Sequence, residues 1–280
     1  MIHDRDSFIE GLEIIAELNR RGIALPIPDT EPTIDQPKTI SFEPIRGLLD
    51  GLRPVPDMTV TQWANTYRFL SSVSSAEPGR YSSKRAPYVE QPMDCLSPSH
   101  PCKFVVVMKG AQTFFSEIGW NWIGYSIHLD PGPILVINPT DQTMQDNSKL
   151  RLAPMIEATP VLAERVAPPK SRGSENSLLF KSFPGGVIRM VGSNSAAGLR
   201  SMPAKKIMFD EIDGYPNDVD NEGSPLALGI KRADTYGDRA KIYILSTPTD
   251  AASKIHAEFM KTDQRHYYVP CPHCGEFDWI

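Results

Sequence analysis

The chain has 280 residues, 40% of them hydrophobic and 22% charged. This is enough apolar chain to bury a substantial core, and the balance excludes wholesale disorder. With 29 Lys and Arg against 34 Asp and Glu, the formal net charge of -5 excludes an overall basic nucleic-acid cloak and confines any contact with DNA to a local patch.

Taken in chain order, residues 7–20 place Phe8, Leu12, Ile15 and Leu18 near one face of a helix that ends at Gly22. Residues 24–57 carry many prolines and no long apolar period, as an extended strap or linker does. A second helix is expected from about Val60 to Phe69, capped by Thr59 or Thr61, with Trp63, Tyr67 and Leu70 recurring on one side. Residues 71–102 are rich in Ser, Pro and Arg and read as irregular. Beyond Pro101 come short apolar runs, Phe104–Met108, Ile134–Ile137, Val187–Val191, Ile207–Phe209 and Ile242–Leu245. Continuous runs suggest strands buried on both faces. The best helices between them are Ser116–His128 and Asp141–Ala158. The alternation predicts an α/β domain with a largely parallel central sheet flanked by helices. Expected boundaries are 1–57 for the N-terminal helix and Pro-rich extension, 58–265 for the α/β domain, and 266–280 for the start of a further segment. No run is long and apolar enough for a membrane helix, and MIHDRDSFIE lacks a signal-peptide core. An intracellular protein is expected.

Three segments carry chemistry. Lys109-Gly-Ala-Gln-Thr-Phe-Phe-Ser116 lies between the strand FVVVM and a helix, where backbone N–H groups and a helix dipole can hold phosphates. On the frame G-x-x-x-x-G-K-[ST], Ser116 falls on the Mg²⁺-binding hydroxyl, Phe114 and Phe115 replace Gly and Lys, and Lys109 falls at the first position. Gly110, Ala111 and Gln112 would supply the cradle. An ordinary strand-to-helix turn is an equal reading of these residues. Lys205-Lys-Ile-Met-Phe-Asp-Glu211 puts two carboxylates at the carboxyl edge of a strand, where α/β sheets bind ligands. Asp210 suits Mg²⁺ and Glu211 suits polarisation of an attacking water, although an acidic pair at a strand end is common on any surface. Ile244-Leu-Ser-Thr-Pro-Thr249 closes a strand on small hydroxyl residues, either as a phosphate sensor or as a simple turn.

The order KGAQ…S, a strand with NPT, GLRS-P, FDEID, EGSP, STPT and CPHCGE resembles the large terminase subunit of tailed phages, of the lambda type, from about Thr59 to Ile280. WANTYRFLSS, SSAEPGRY and RAPY resemble that family too. The resemblance implies a P-loop ATPase of the RecA/ASCE kind that hydrolyses Mg-ATP to drive double-stranded DNA into a procapsid. It implies a homo-oligomeric ring, a small terminase subunit and a portal as partners, and the host cytoplasm as location. It places Lys109 as the displaced phosphate-loop lysine, Ser116 and Asp210 on Mg²⁺, Glu211 as the catalytic carboxylate that polarises the attacking water, and Ser246, Thr247 and Pro248 as the coupling motif. Tyr88 or Gln91 falls where adenine is contacted. Arg200 falls where a γ-phosphate or neighbouring-subunit contact is expected; a solvated helix-end arginine is the other reading. The family continues into a nuclease domain, for which nothing follows Ile280, so a truncated or split gene is expected. Cys271 and Cys274 form one knuckle of a zinc ribbon, half of the four ligands that Zn²⁺ takes, or a free thiol pair. Two further readings stand beside the motor: a catalytically impaired remnant that only binds or assembles, motivated by Phe114-Phe115, and a P-loop helicase or translocase unconnected with packaging.

Overall fold

A computed structural model of the chain describes residues 20–21, 56–168, 176–250 and 252–279. The chain divides into Met1–Pro54 and Val55–Ile280, and every element below belongs to the second part. The helix expected over 7–20 and the strap over 24–57 lie outside the described residues, apart from Arg20, Arg21, Pro56 and Asp57.

Helix α1, Val60–Tyr67, starts at a capping box: Thr59 Oγ1 accepts the Gln62 N–H and Gln62 Oε1 accepts the Thr59 N–H. It buries Val60, Trp63 and Ala64. A two-stranded ribbon, β1 (Phe69–Leu70) and β2 (Gly79–Arg80), follows, then α2, Glu90–Cys95. The central sheet opens with β3, Phe104–Met108, which leads into α3, Phe115–His128. After β4 (Ile134–Asn138) come α4 (Asp141–Asn147), a π-helical turn at Ser148–Leu152, α5 (Ala153–Ala158) and α6 (Pro160–Ala163). The single helix expected over Asp141–Ala158 is thus interrupted by a π turn. Strands β5 (Phe180–Phe183) and β6 (Gly186–Gly192) lead to α7 (Ala196–Leu199), β7 (Lys206–Asp210), α8 (Pro225–Ile230), β8 (Lys241–Ser246) and α9 (Lys254–Phe259). The ribbon β9 (Tyr268–Pro270) and β10 (Phe277–Trp279) ends the description.

The six-stranded sheet runs in the order β3-β8-β7-β4-β6-β5, parallel throughout except that β5 pairs antiparallel with β6. This is the largely parallel sheet the apolar runs predict. Strands β4, β7 and β8 are buried at every position, as interior strands covered on both faces must be. At the edge, β3 leaves Phe104 exposed. The hairpin strand β5 was not expected, because FKSF alternates polar and apolar residues and gives no continuous run.

Side chains alternate across the sheet into two cores. One holds Val105, Val107, Val136, Met208 and Tyr243 with Trp63, Trp122 and Ile123. The other holds Leu135, Ile137, Phe209, Ile242 and Ile244 with Leu199, Leu228 and Ile255. Two glycines set how close α3 comes to its neighbours. A Cβ on Gly119 would stand 2.5 Å from Met208 of β7, and one on Gly124 would stand 2.4 Å from the Trp63 ring of α1. The start of α3, and with it the loop from Lys109, is thereby fixed against the sheet. Among the described residues no helix is long and apolar enough to cross a membrane.

Candidate active site

The sheet order sets β3, β8, β7 and β4 side by side, and each ends on polar residues: Lys109 after β3, Ser246 and Thr247 at β8, Asp210 and Glu211 at β7, Asn138 at β4. The Lys109 N–H donates to Ser246 O at 3.0 Å, extending the β3–β8 ladder by one residue. This aims the lysine side chain along the carboxyl edge. Its Nζ donates to Glu211 Oε1 at 2.5 Å and to Thr247 Oγ1 at 3.0 Å. Glu211 has left-handed backbone, φ 53 and ψ 60. Its carboxylate lies against the end of β8, where Oε2 accepts from the Thr247 N–H at 3.0 Å and from Ser246 Oγ at 3.3 Å. Ser246 Oγ also accepts the Asp213 N–H at 3.2 Å. A lysine, a carboxylate and the tip of β8, far apart in sequence, form one hydrogen-bonded group.

Asp210 lies deeper, 7% exposed. Oδ2 accepts from Asn147 Nδ2 at 3.1 Å, and the same amide donates to Asn138 Oδ1 at 2.7 Å. Asp210 Oδ1 and Asn138 Nδ2 are buried without a hydrogen-bond partner. Burial, and then the charge of Glu211, push the Asp210 carboxyl up to about 6, while Asn147, Lys109 and Arg151 oppose the shift. A desolvated carboxylate with an unfilled acceptor beside a second acid is short of positive charge. A hard divalent cation such as Mg²⁺ supplies that need with oxygen coordination, so the residues present fit one. Ser116, in the first turn of α3, is half-buried.

The loop before α3 combines two left-handed backbone positions with side chains unusual for the phosphate-loop frame. Gln112 and Phe114 are left-handed, φ 56 and φ 61, so the position that is Gly in the usual frame has a glycine-like backbone although it is Phe. The Phe114 ring is 59% exposed. Thr113 Oγ1 donates to Gly110 O at 2.7 Å and tightens the turn. Gly110, Ala111 and Gln112 are exposed. Phe115, at the usual lysine position, packs 5.5 Å from the Tyr88 ring, and its carbonyl accepts from Tyr243 Oη at 2.8 Å. An aromatic anchor stands where the frame has a cation.

The remaining candidates lie elsewhere. Tyr88 packs tilted against Phe115 and, at 5.8 Å, edge-on against Tyr267. Gln91 is exposed on α2 and lines a cleft with Cys95 and His100. Arg200 caps α7, with Nη1 2.9 Å from Glu222 Oε2 and Nε donating to Ala196 O at 3.3 Å. Cys271 and Cys274 sit in the turn between β9 and β10, which is closed by the Gly275 N–H donating to Cys271 O at 2.9 Å. Backbone N–H groups of Cys274 and His273 hold the Cys271 thiol below its ordinary range. Sequence reasoning missed Asn138, Asn147 and Arg151. The NPT that begins at the last residue of β4 was a visible signal for Asn138. Asn147 gave none, because only the course of α4 brings it to Asp210. Arg151, in the π turn, has Nη1 3.5 Å from Glu117 Oε1 and donates to Ser74 O at 3.0 Å.

Comparison with known proteins bears on the family and the fold. The family model described as the phage terminase large subunit gpA, ATPase domain, matches residues 75–280. The large terminase subunit of Enterobacteria phage P21 is 30% identical over 242 residues, 84% of this chain, and that of Escherichia phage lambda is 26% identical over the same share. The chain spans 36% of the length of each. The crystal structure of the HK97 bacteriophage large terminase superposes with a TM-score of 0.54 at 12% identity, covering 78% of this chain and 45% of that one. That likeness concerns the fold alone, a largely parallel α/β sheet flanked by helices.

Proposed function

The chain belongs to the phage terminase large subunit family, in its gpA ATPase domain, and we propose that it is the Mg-ATP-hydrolysing motor domain that drives double-stranded DNA into a procapsid. The observation that carries this is the convergence of Lys109, Glu211 and Thr247 at 2.5 and 3.0 Å on the carboxyl edge of a parallel sheet. Lys109 offsets phosphate charge, and Gly110, Ala111 and Gln112 line the cradle. Asp210 and Ser116 would hold Mg²⁺, which would neutralise charge developing on the phosphates. Glu211 orients the attacking water and accepts its proton. In the geometry described, Glu211 is engaged by Lys109, so arrival of a triphosphate that competes for the lysine frees the acid for water. Thr247 touches the same lysine and sits on the β8 tip, which suits it to relay the change. Tyr88, beside the loop, is an adenine contact, and Gln91 a more distant one. Arg200 would reach a neighbouring subunit of a ring after leaving Glu222. Contact with DNA is to phosphates and independent of sequence. The small terminase subunit and the portal are the partners, in the host cytoplasm, and Cys271 and Cys274 supply two thiols, half a zinc set.

The test is DNA-stimulated phosphate release by the full chain and its Glu211→Gln variant. Loss of about 10²–10⁴-fold in the variant is expected for removal of a general base, with nucleotide still bound. Equal rates in the two proteins would sink the reading. Phe115 at the usual lysine position favours a second reading, an ATP-binding assembly module with slow turnover. Bound nucleotide with no phosphate release in the wild type would decide for it.

A further inference from the structure

We propose that Cys95, His100 and Cys102 form a binding site for a thiophilic divalent metal ion, Zn²⁺ being the natural occupant, at the junction of α2 and β3. Among the described residues these three place one ligand atom each within 4.8 Å of one another. His100 Nε2 lies 3.8 Å from Cys95 Sγ. Two thiolates and an imidazole on a tetrahedral Zn²⁺, with bonds of about 2.3 and 2.0 Å, stand about 3.5–3.8 Å apart, so small side-chain adjustments close the set. All three residues are half-buried, reachable from solvent yet held by structure. Cys95 and His100 line a cleft with Pro87, Glu90, Gln91 and Asp94, and this cleft leaves a fourth position for water or an incoming ligand.

The loop that carries them is shaped before any ion arrives. Lys241, the first residue of β8, is buried, and its ammonium donates to the carbonyls of all three ligand residues: Cys95 at 3.1 Å, His100 at 2.5 Å and Cys102 at 2.5 Å. One amine thus uses its three donors to wrap the loop around a fixed point on the sheet. Three backbone bonds, Leu96 to Met93, Ser97 to Asp94 and His100 to Ser97, turn the chain between the ligands, and Ser97 Oγ accepts the Val60 N–H at 2.9 Å. Pro98 and Pro101 stiffen the same stretch. Two thiolates neutralise a divalent ion, so Lys241 meets no net positive charge.

Three contacts change on loading: the Cys102 thiol gives up Cys95 O, to which it donates at 3.3 Å, His100 Nε2 gives up Cys95 Sγ at 3.8 Å, and the bond that fixes the ring tautomer is lost. His100 Nδ1 accepts the Cys102 N–H at 3.2 Å, which assigns the ring proton to Nε2. Metal on Nε2 moves that proton to Nδ1, and the Cys102 bond gives way to the metal bond. The two thiol protons leave to solvent. The site ties α2, through Cys95, to the residue two positions before β3, the strand that delivers Lys109. It is distinct from the knuckle at Cys271 and Cys274 and does not depend on the nucleotide reading.

The experiment is Co²⁺ titration of the metal-stripped full chain under reducing conditions, followed by thiolate-to-cobalt charge-transfer absorption and displacement by Zn²⁺. The expected result is a saturable signal that persists in Cys271→Ser/Cys274→Ser, disappears in Cys95→Ser/Cys102→Ser, and weakens at least about 10-fold in affinity in His100→Ala, since even an outer-shell partner is worth that much. No signal in the wild type, or a signal that follows Cys271 and Cys274 instead, overturns the proposal. If the Cys95 and Cys102 variant does not fold, the wild type still decides. Zn²⁺ should then slow maleimide labelling of Cys95 and Cys102, mapped by peptide mass, and equal labelling with and without Zn²⁺ overturns it.

Discussion

The two edges of the central sheet bury charge in opposite ways. At the amino edge, Lys206 is 1% exposed, yet its ammonium contacts Asp130 Oδ2 at 2.8 Å and the Asp130 carbonyl, while Lys205 Nζ takes Asp130 Oδ1 at 2.5 Å. Lys241, on the same edge, has three carbonyls. At the carboxyl edge, Asp210 Oδ1 and Asn138 Nδ2 have no partner, Asp210 and Glu211 are adjacent acids, and Glu211, Gln112 and Phe114 hold left-handed backbone. The first edge is saturated and serves stability. The second leaves donors, acceptors and strain unresolved, which is where ligand chemistry is expected to resolve them.

Removing a partner on each edge separates the two roles. Asp130→Ala leaves Lys206 a buried charge without its carboxylate and should cost about 3–5 kcal/mol of stability, read by urea denaturation, while turnover per folded molecule is unchanged. A loss of turnover in the folded fraction would break the comparison. Burial already draws the Lys206 ammonium down to about 8 against the opposing pull of Asp130.

Asp210→Asn should act in the other sense. The folded carboxyl titrates at about 6, above the usual 3.8, so the folded state binds more protons between those values. Its contribution to stability is full below about pH 4 and is lost as pH rises through 6. Without metal or nucleotide, the variant should therefore be more stable than wild type by on the order of 2–3 kcal/mol at pH 7, and equal to it near pH 4. Thermal melts in chelator across that range check the sign. A variant less stable at pH 7 would mean that Asp210 is satisfied after all.

The smallest effect belongs to the loop. Phe114→Gly removes a left-handed Cβ penalty of about 1 kcal/mol and gives up little burial, since the ring is largely exposed. A rise in Tm of about 2–4 °C is expected, and a fall would show that the ring makes a contact of its own.

Legibility followed chain locality. The interior strands announced themselves as continuous apolar runs, and α1 through its Thr59 cap. Lys109, Asp210 and Glu211 stood at strand ends, where sheet topology alone makes ligand sites. The β5 strand did not show, because an edge hairpin strand has one covered face and alternates. The π turn at Ser148–Leu152 did not show either: a one-residue widening leaves the apolar period nearly intact. Asn147 was invisible because its partner is 63 residues away. Cys95, His100 and Cys102 are near one another in sequence but lack the C-x-x-C spacing of a metal knuckle, so only the fold shows that their side chains converge.

Equilibrium binding of a fluorescent ATP analogue to wild type and Lys109→Ala, with and without Mg²⁺, tests the carboxyl-edge site most directly. The account expects saturable, Mg²⁺-dependent binding that weakens at least about 10-fold in the variant, since a hydrogen bond to a charged group is worth about 1.5–3 kcal/mol. Equal affinity in the two proteins, or no binding at millimolar nucleotide, would contradict it.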